Sequence, residues 1–152
     1  MRRADKAITD PAQIEAIIRR AQVCRLGLCQ GEQPYIVPMC FGLVENRLYL
    51  HCAAEGHKID VLSVNPNVCV EFDIDQEIVP APSACRISMK YRSVIGFGTA
   101  TVVDDPEEKR RGLEAIVLQY ADRCEGMSEQ AVARTTVIRV DIQEFTGKQS
   151  GY

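Results

Sequence analysis

Apolar residues along this chain fall into two rhythms, and the change from one to the other marks out its elements. Ile14, Ile17, Ile18 and Ala21 recur at i, i+3, i+4 and i+7 with Glu15, Arg19 and Arg20 between them, the stripe of an amphipathic helix. Asp10 and Pro11 precede it as N-cap and first-turn proline, with Gln13 placed to reach back to the cap. The period then drops to two. Residues 23–29 (VCRLGLC) and 34–41 (PYIVPMCF) predict a hairpin turning around Gln30 and Gly31, and residues 47–53 (RLYLHCA) a third strand after Glu45 and Asn46. In that strand Leu48, Leu50 and Cys52 share one face, and Tyr49, His51 and Ala53 the other.

Gly56 to Ser63 reads as a short helix stopped by Asn65 and Pro66, and residues 68–74 (VCVEFDI) as a fourth strand. Pro80 and Pro82 make 76–84 a loop. Beyond it the pattern predicts a short strand over 85–90 and a longer one over 93–103, with Gly96 and Gly98 on one face. Glycine inside a strand marks a bulge, a tight bend or the close approach of a ligand. Asp105, Pro106 and Glu108 open a long helix whose apolar face is Leu113, Ile116, Val117 and Tyr120; residues 135–142 (TTVIRVDI) are the last strand. Hairpin connections and three helices predict a mainly β fold: a six- to seven-stranded antiparallel barrel, closed or nearly so, with peripheral helices. Residues 1–152 form one domain, long enough to bury a core without disulfides or metals.

Charge narrows the partners. The net charge is −3, with 26% charged residues spread along the chain, and a general nucleic-acid surface needs a basic excess to release counterions. Any bound anion should therefore be small and locally held. No stretch approaches the roughly 20 apolar residues of a membrane span, and no signal-like apolar run follows the charged N-terminus. The expected location is the cytoplasm. The seven cysteines are odd in number and contain no CxxC pair, and only two histidines are present. No zinc or disulfide framework is expected from that spacing. Cysteines in strands read as small hydrophobes, Cys40 and Cys52 as inert thiols in apolar surroundings.

The common catalytic signatures (GxSxG, a Rossmann glycine turn, a P-loop, HExxH) are absent. The informative segment is His51 to Pro66, HCAAEGHKIDVLSVNP. There a strand ends in small and polar residues, and Gly56, His57 and Lys58 open a helix. Free amides at a helix N-terminus, a glycine permitting close approach and a lysine together suit a monophosphate.

The run YIVPMCFGLVENRLYLHCAAEGHKIDVLSVNPNVCVEFD resembles the flavin-binding half of the split-barrel relatives of pyridoxamine-phosphate oxidase. YRSVIGFGTATVVDDPEEKRRGLEAIVLQY resembles the family's following strand and helix. The ending EFTGK is similar to that of the branch containing 5-nitroimidazole-resistance proteins. The likeness covers roughly residues 10–148.

It implies a split β-barrel holding flavin mononucleotide (FMN). Val37, Pro38, Met39 and Cys40 would flank the ring, and His51, Cys52 and Ala53 would line the ring or ribityl chain. His57 and Lys58 match the phosphate-binding pair. Tyr91, Arg92 and Ser93 match a segment that reaches the flavin of the other subunit, and Lys148 lies in a C-terminal segment that also contributes. A homodimer with flavin sites at its interface follows from the same likeness. So does a flavin oxidoreductase passing electrons from NAD(P)H to a nitroaromatic or quinone-like acceptor, with His51 as candidate proton donor. The chain lacks the Trp-containing C-terminus of true pyridoxamine-phosphate oxidases, so that activity is not expected. The alternatives are a flavin- or haem-binding sensor, with His51 or His57 on the iron, and a deazaflavin-using reductase.

Overall fold

The computed structural model describes residues 3–152. Its strands are β1 (Ala7–Ile8), β2 (Cys24–Gln30), β3 (Gln33–Met39), β4 (Phe41–Val44), β5 (Arg47–Cys52), β6 (Asn67–Val79), β7 (Ser88–Val103) and β8 (Thr136–Ser150). Its helices are α1 (Pro11–Arg20), α2 (His57–Val64), α3 (Pro106–Tyr120) and α4 (Glu129–Arg134). The strands form one antiparallel sheet in the order β3-β2-β6-β7-β8-β5-β4, with β1 added beside β8. The two ends of that path, β3 and β4, are joined in sequence by Cys40 alone. The sheet therefore curls back on itself, giving the expected barrel with peripheral helices.

The core fills the inside of this curl. Leu26, Phe41, Leu48, Leu50, Val70, Phe72, Val94, Ile138 and Val140 are wholly buried there, and the Phe41 and Phe72 rings meet edge to face at 4.9 Å. Ile14, Ile17 and Ile18 of α1 seal one end. Asp10 caps that helix by accepting from the Ala12 amide, so the cap acts without the reciprocal bond expected of Gln13. A second cluster, Tyr49, Val103, Ile116 and Val137, lies outside the barrel under α3. There α3 approaches β4 so closely that a Cβ on Gly42 would stand 2.3 Å from the Ala115 carbonyl carbon. Tyr120 ties the far end of α3 to the barrel, accepting from the Phe41 amide and donating to the Gln22 carbonyl.

Several boundaries differ from the pattern, each for a pairing reason. Residues 34–41 split at Cys40 because β3 pairs with β2 whereas β4 pairs with β5. The expected loop 76–84 is strand as far as Val79: a register shift between Ile74 and Glu77, with Asp75 at φ 58°, bends β6 without ending it. A 3-10 turn occupies Ala84–Arg86, and the two strands expected over 85–90 and 93–103 are one, β7. The last strand runs on through EFTGK to Ser150, since β7 offers it an edge as far as Tyr91. The short β1 and α4 carry too little periodicity to be read. The two strand glycines serve packing rather than a ligand. Gly96 leaves room for the Phe145 ring, and Gly98 lets the Asp141 backbone approach.

Candidate functional site

The cleft sits where β5 runs out and α2 begins. Gly56 turns the chain with φ 137° and ψ 164°, a conformation open to glycine alone, and supplies no side-chain cap to the helix it starts. Its carbonyl accepts from Ile59 and Asp60, leaving the amides of His57 and Lys58 as the free donors of the first turn. Across from them stands β3. Tyr35, Val37 and Met39 pair with Leu28, Leu26 and Cys24, so they share the barrel-facing side of the sheet. The His57 ring packs edge-on against Tyr35 at 4.8 Å. Lys58 Nζ donates to the Met39 sulfur at 3.2 Å. Tyr35, Cys52, Ala53, Glu55, Gly56 and Lys58 line a cavity of about 190 Å³. Burial raises the Cys52 thiol above its ordinary range, against a downward pull from Lys58.

The remaining predicted residues lie elsewhere in the chain. His51 is exposed at the end of β5, and its ladder partner is Val137, so it faces the α3 side while Cys52 faces the core. Pro38 and Cys40 are exposed; Cys40 is at the joint of β3 and β4, not in the apolar setting expected. Tyr91, Ser93 and Lys148 share the outer face of the sheet: Ser93 is level with Lys148, whose ammonium lies 5.7 Å from the Tyr91 ring centroid. Arg92 points to the other face, where it bonds Asp75 at 2.5 Å and lies over the Tyr152 ring. Three ladder steps separate β3 from β7, roughly 14 Å.

That outer face carries a row of paired residues running Ile36, Gly27, Cys69, Phe97, with Ile36 66% and Phe97 53% exposed. A larger cavity, about 500 Å³, lies between α3 and α4. It is lined by both signs of charge and by none of the predicted site residues. Sequence reasoning missed Tyr35 and Glu55. The first was within reach, since it alternates with Val37 and Met39.

The family model described as pyridoxamine 5'-phosphate oxidase matches residues 10–149. The chain belongs to this flavin-binding split-barrel family. Among solved structures it is similar to a Bacteroides thetaiotaomicron protein described as a 5-nitroimidazole antibiotic resistance protein. That match has 37% identity, covers 94% of this chain and 86% of the other, and has a TM-score of 0.84. The flavocytochrome Anf3 of Azotobacter vinelandii shares the fold at 22% identity, covering 100% of this chain and 72% of the other, with a TM-score of 0.85. So does the FAD and haem binding protein of Mycobacterium smegmatis, at 20% identity, coverage of 97% and 74%, and a TM-score of 0.84. A curated relative, the uncharacterised protein RA0666 of Rhizobium meliloti, is 34% identical over 60 residues, 40% of this chain and 39% of that protein.

In this pyridoxamine 5'-phosphate oxidase relative, the cleft's own chemistry fits a flavin phosphate. A half-buried ammonium whose hydrogen-bond partner is a thioether, a weak acceptor, belongs to the same first helical turn as two free amides, a donor set whose chemistry suits a phosphate.

Proposed function

We propose that the protein is an FMN-dependent oxidoreductase that works as a cytoplasmic homodimer and reduces a small electrophile, nitroaromatic or quinone-like, with electrons from NAD(P)H. The observation that carries the reading is Lys58, held at the glycine-opened N-terminus of α2 and, among the described residues, hydrogen-bonded through its ammonium to the Met39 sulfur alone. Bound there, flavin supplies the redox chemistry, accepting hydride and passing electrons on. Lys58 and the His57 and Lys58 amides hold its phosphate. Val37 and Met39, on the barrel-facing side of β3, flank the ring, with Cys52 and Ala53 at the cleft wall.

The outer-face residues Tyr91, Ser93 and Lys148 belong in this reading to the partner's cofactor site, because a second copy is needed to bring them to a cleft. The exposed row from Ile36 to Phe97 is the surface that a two-fold contact would cover. His51, exposed at its strand end on the α3 side, does not line the cleft of its own protomer, so the proton-donor role requires it to reach a flavin held by the partner. A haem-binding role gains no support from the two imidazoles: His51 faces the α3 side, while His57 packs on Tyr35 at the cleft.

Stopped-flow mixing of the flavin-loaded protein with NADH and NADPH tests the activity. Bleaching of the flavin absorbance, followed by recovery on adding a nitroaromatic, is expected. No bleaching with either nucleotide would sink the assignment.

A further inference from the structure

Beyond Asp75 and Tyr91, β6 and β7 leave the sheet as a two-stranded ribbon. Glu77, Ile78 and Val79 pair with Lys90, Met89 and Ser88. On β6, the pairing with β2 is confined to Cys69–Glu71, and the pairing of β7 with β8 begins at Tyr91. Among the described residues both edges of the ribbon are therefore unpaired. Its tip is largely apolar: Ile78, Ile87 and Met89 are 65%, 55% and 47% exposed beside Pro80, Ala81, Pro82 and Ala84, with Ser83, Cys85 and Arg86 the exposed polar residues of the turn. An isolated two-stranded hairpin is marginal in water without a surface to pack on.

Its base, in contrast, is clamped. Asp75 accepts from Arg20 and Arg92, each at 2.5 Å. The Tyr152 hydroxyl donates to the Asp75 carbonyl at 2.8 Å, and the Arg92 guanidinium lies 3.9 Å from the Tyr152 ring centroid. A fixed base and an uncovered, largely apolar tip describe an arm that projects toward another body.

The direction of projection identifies that body. Met89, Tyr91, Ser93, Ile95 and Phe97 alternate onto one face of β7, and Ile78 pairs directly with Met89 on that face. The arm thus prolongs the outer face proposed for the two-fold contact, over about 27 Å from Phe97 to Met89. Met89 lies one repeat, about 7 Å, beyond Tyr91, a residue assigned above to the partner's cofactor site.

We propose that the arm of each protomer lies across the cofactor site of its partner, where Ile78, Ile87 and Met89 form an apolar wall that excludes water and small polar solutes from the flavin ring. The inference rests on the flavin-dimer reading above. Excluding water would strengthen the polar contacts inside the site and favour flat, apolar acceptors over charged ones.

The test uses the full chain loaded with FMN and compares it with the double variant Ile78→Ser and Met89→Ser. The variant is expected to keep a two-chain mass and its FMN affinity, while ferricyanide reoxidises its photoreduced flavin at least three-fold faster. An unchanged rate in a flavin-loaded dimer overturns the arm and leaves the flavin reading intact. In the unaltered protein, hydrogen exchange of the 78–89 amides is expected to slow when FMN is added to the dimer. Unchanged exchange there also overturns the arm. Failure of the unaltered chain to take up FMN, or a one-chain mass, overturns the parent reading and the arm with it.

Discussion

Lys58 Nζ lies 3.2 Å from the sulfur of Met39, so that the first turn of α2 and the last residue of β3 meet across the mouth of the cleft. A thioether is a poor match for a full positive charge. The pair therefore places a cation at a fixed point without neutralising it, which is what an incoming phosphate needs.

Lys58→Ala should weaken FMN binding roughly 10- to 100-fold, the range given by losing a charged hydrogen bond of about 1.5–3 kcal/mol. Riboflavin, which lacks the phosphate, should bind both proteins alike. Fluorescence titration with the two flavins separates this from a general loss of structure, which would weaken both.

Gly56→Ala tests the turn that presents the amides. No atom lies within 4 Å of the Cβ position, so any effect comes from the backbone at φ 137°. Holding an alanine there costs on the order of 1–3 kcal/mol, or relaxes the turn and misdirects the His57 and Lys58 amides. A lower melting temperature, a weaker FMN affinity, or both are expected. A variant equal to the parent in both would show that the turn conformation is not needed.

Phe97→Asp places a charge at one end of the exposed outer row. If that face joins two protomers, sedimentation should find a one-chain mass in the variant and a two-chain mass in the parent. Melting of the monomer should change little, because Phe97 is already 53% exposed.

Acid stability should depend in part on Glu108 and Asp75, two of the carboxylates that neighbouring guanidinium groups hold low. The hydrogen bond from Arg139 holds the Glu108 carboxyl below its ordinary 4.5, and that from Arg20, aided by Arg92, holds Asp75 below 3.8. Groups depressed in the folded state contribute stability that is full above their unfolded values and lost as pH falls through the folded ones. The melting temperature should therefore fall as pH drops below about 4.5, and Glu108→Gln should flatten the upper part of that decline. A parallel acid limb in parent and variant would contradict the assignment.

Cys24 should be inert. Burial pushes its thiol up to about 12, so alkylation of the folded protein at pH 8 should modify the exposed Cys40 and Cys85 and spare Cys24, as read by peptide mass.

The parts of this account that were legible in the sequence are those written in local periodicity. The stripe of α1, the alternation of Leu48, Leu50 and Cys52, and the proline-capped start of α3 each appear where the pattern put them. What failed was set by partners distant in the chain. Cys40 becomes a joint because β3 and β4 pair with different strands. Residues 143–150 become strand because β7 is there to receive them, although Gly147 interrupts their pattern, crowded by Ile8 and Ile14. The site divides the same way. His57 and Lys58 follow from the helix start, and Cys52 from its strand end. The placement of His51 on the α3 side, of Arg92 in an ion cluster with Asp75, and of Tyr91 and Ser93 on the outer face depends on strand register and barrel curvature.

The most direct measurement is the absorption spectrum of the purified protein, with its released cofactor identified by mass and, if colourless, its uptake of added FMN. The account predicts flavin bands and the mass of FMN, or stoichiometric uptake of FMN by colourless protein. A haem band, or a colourless protein that takes up no FMN, would contradict it.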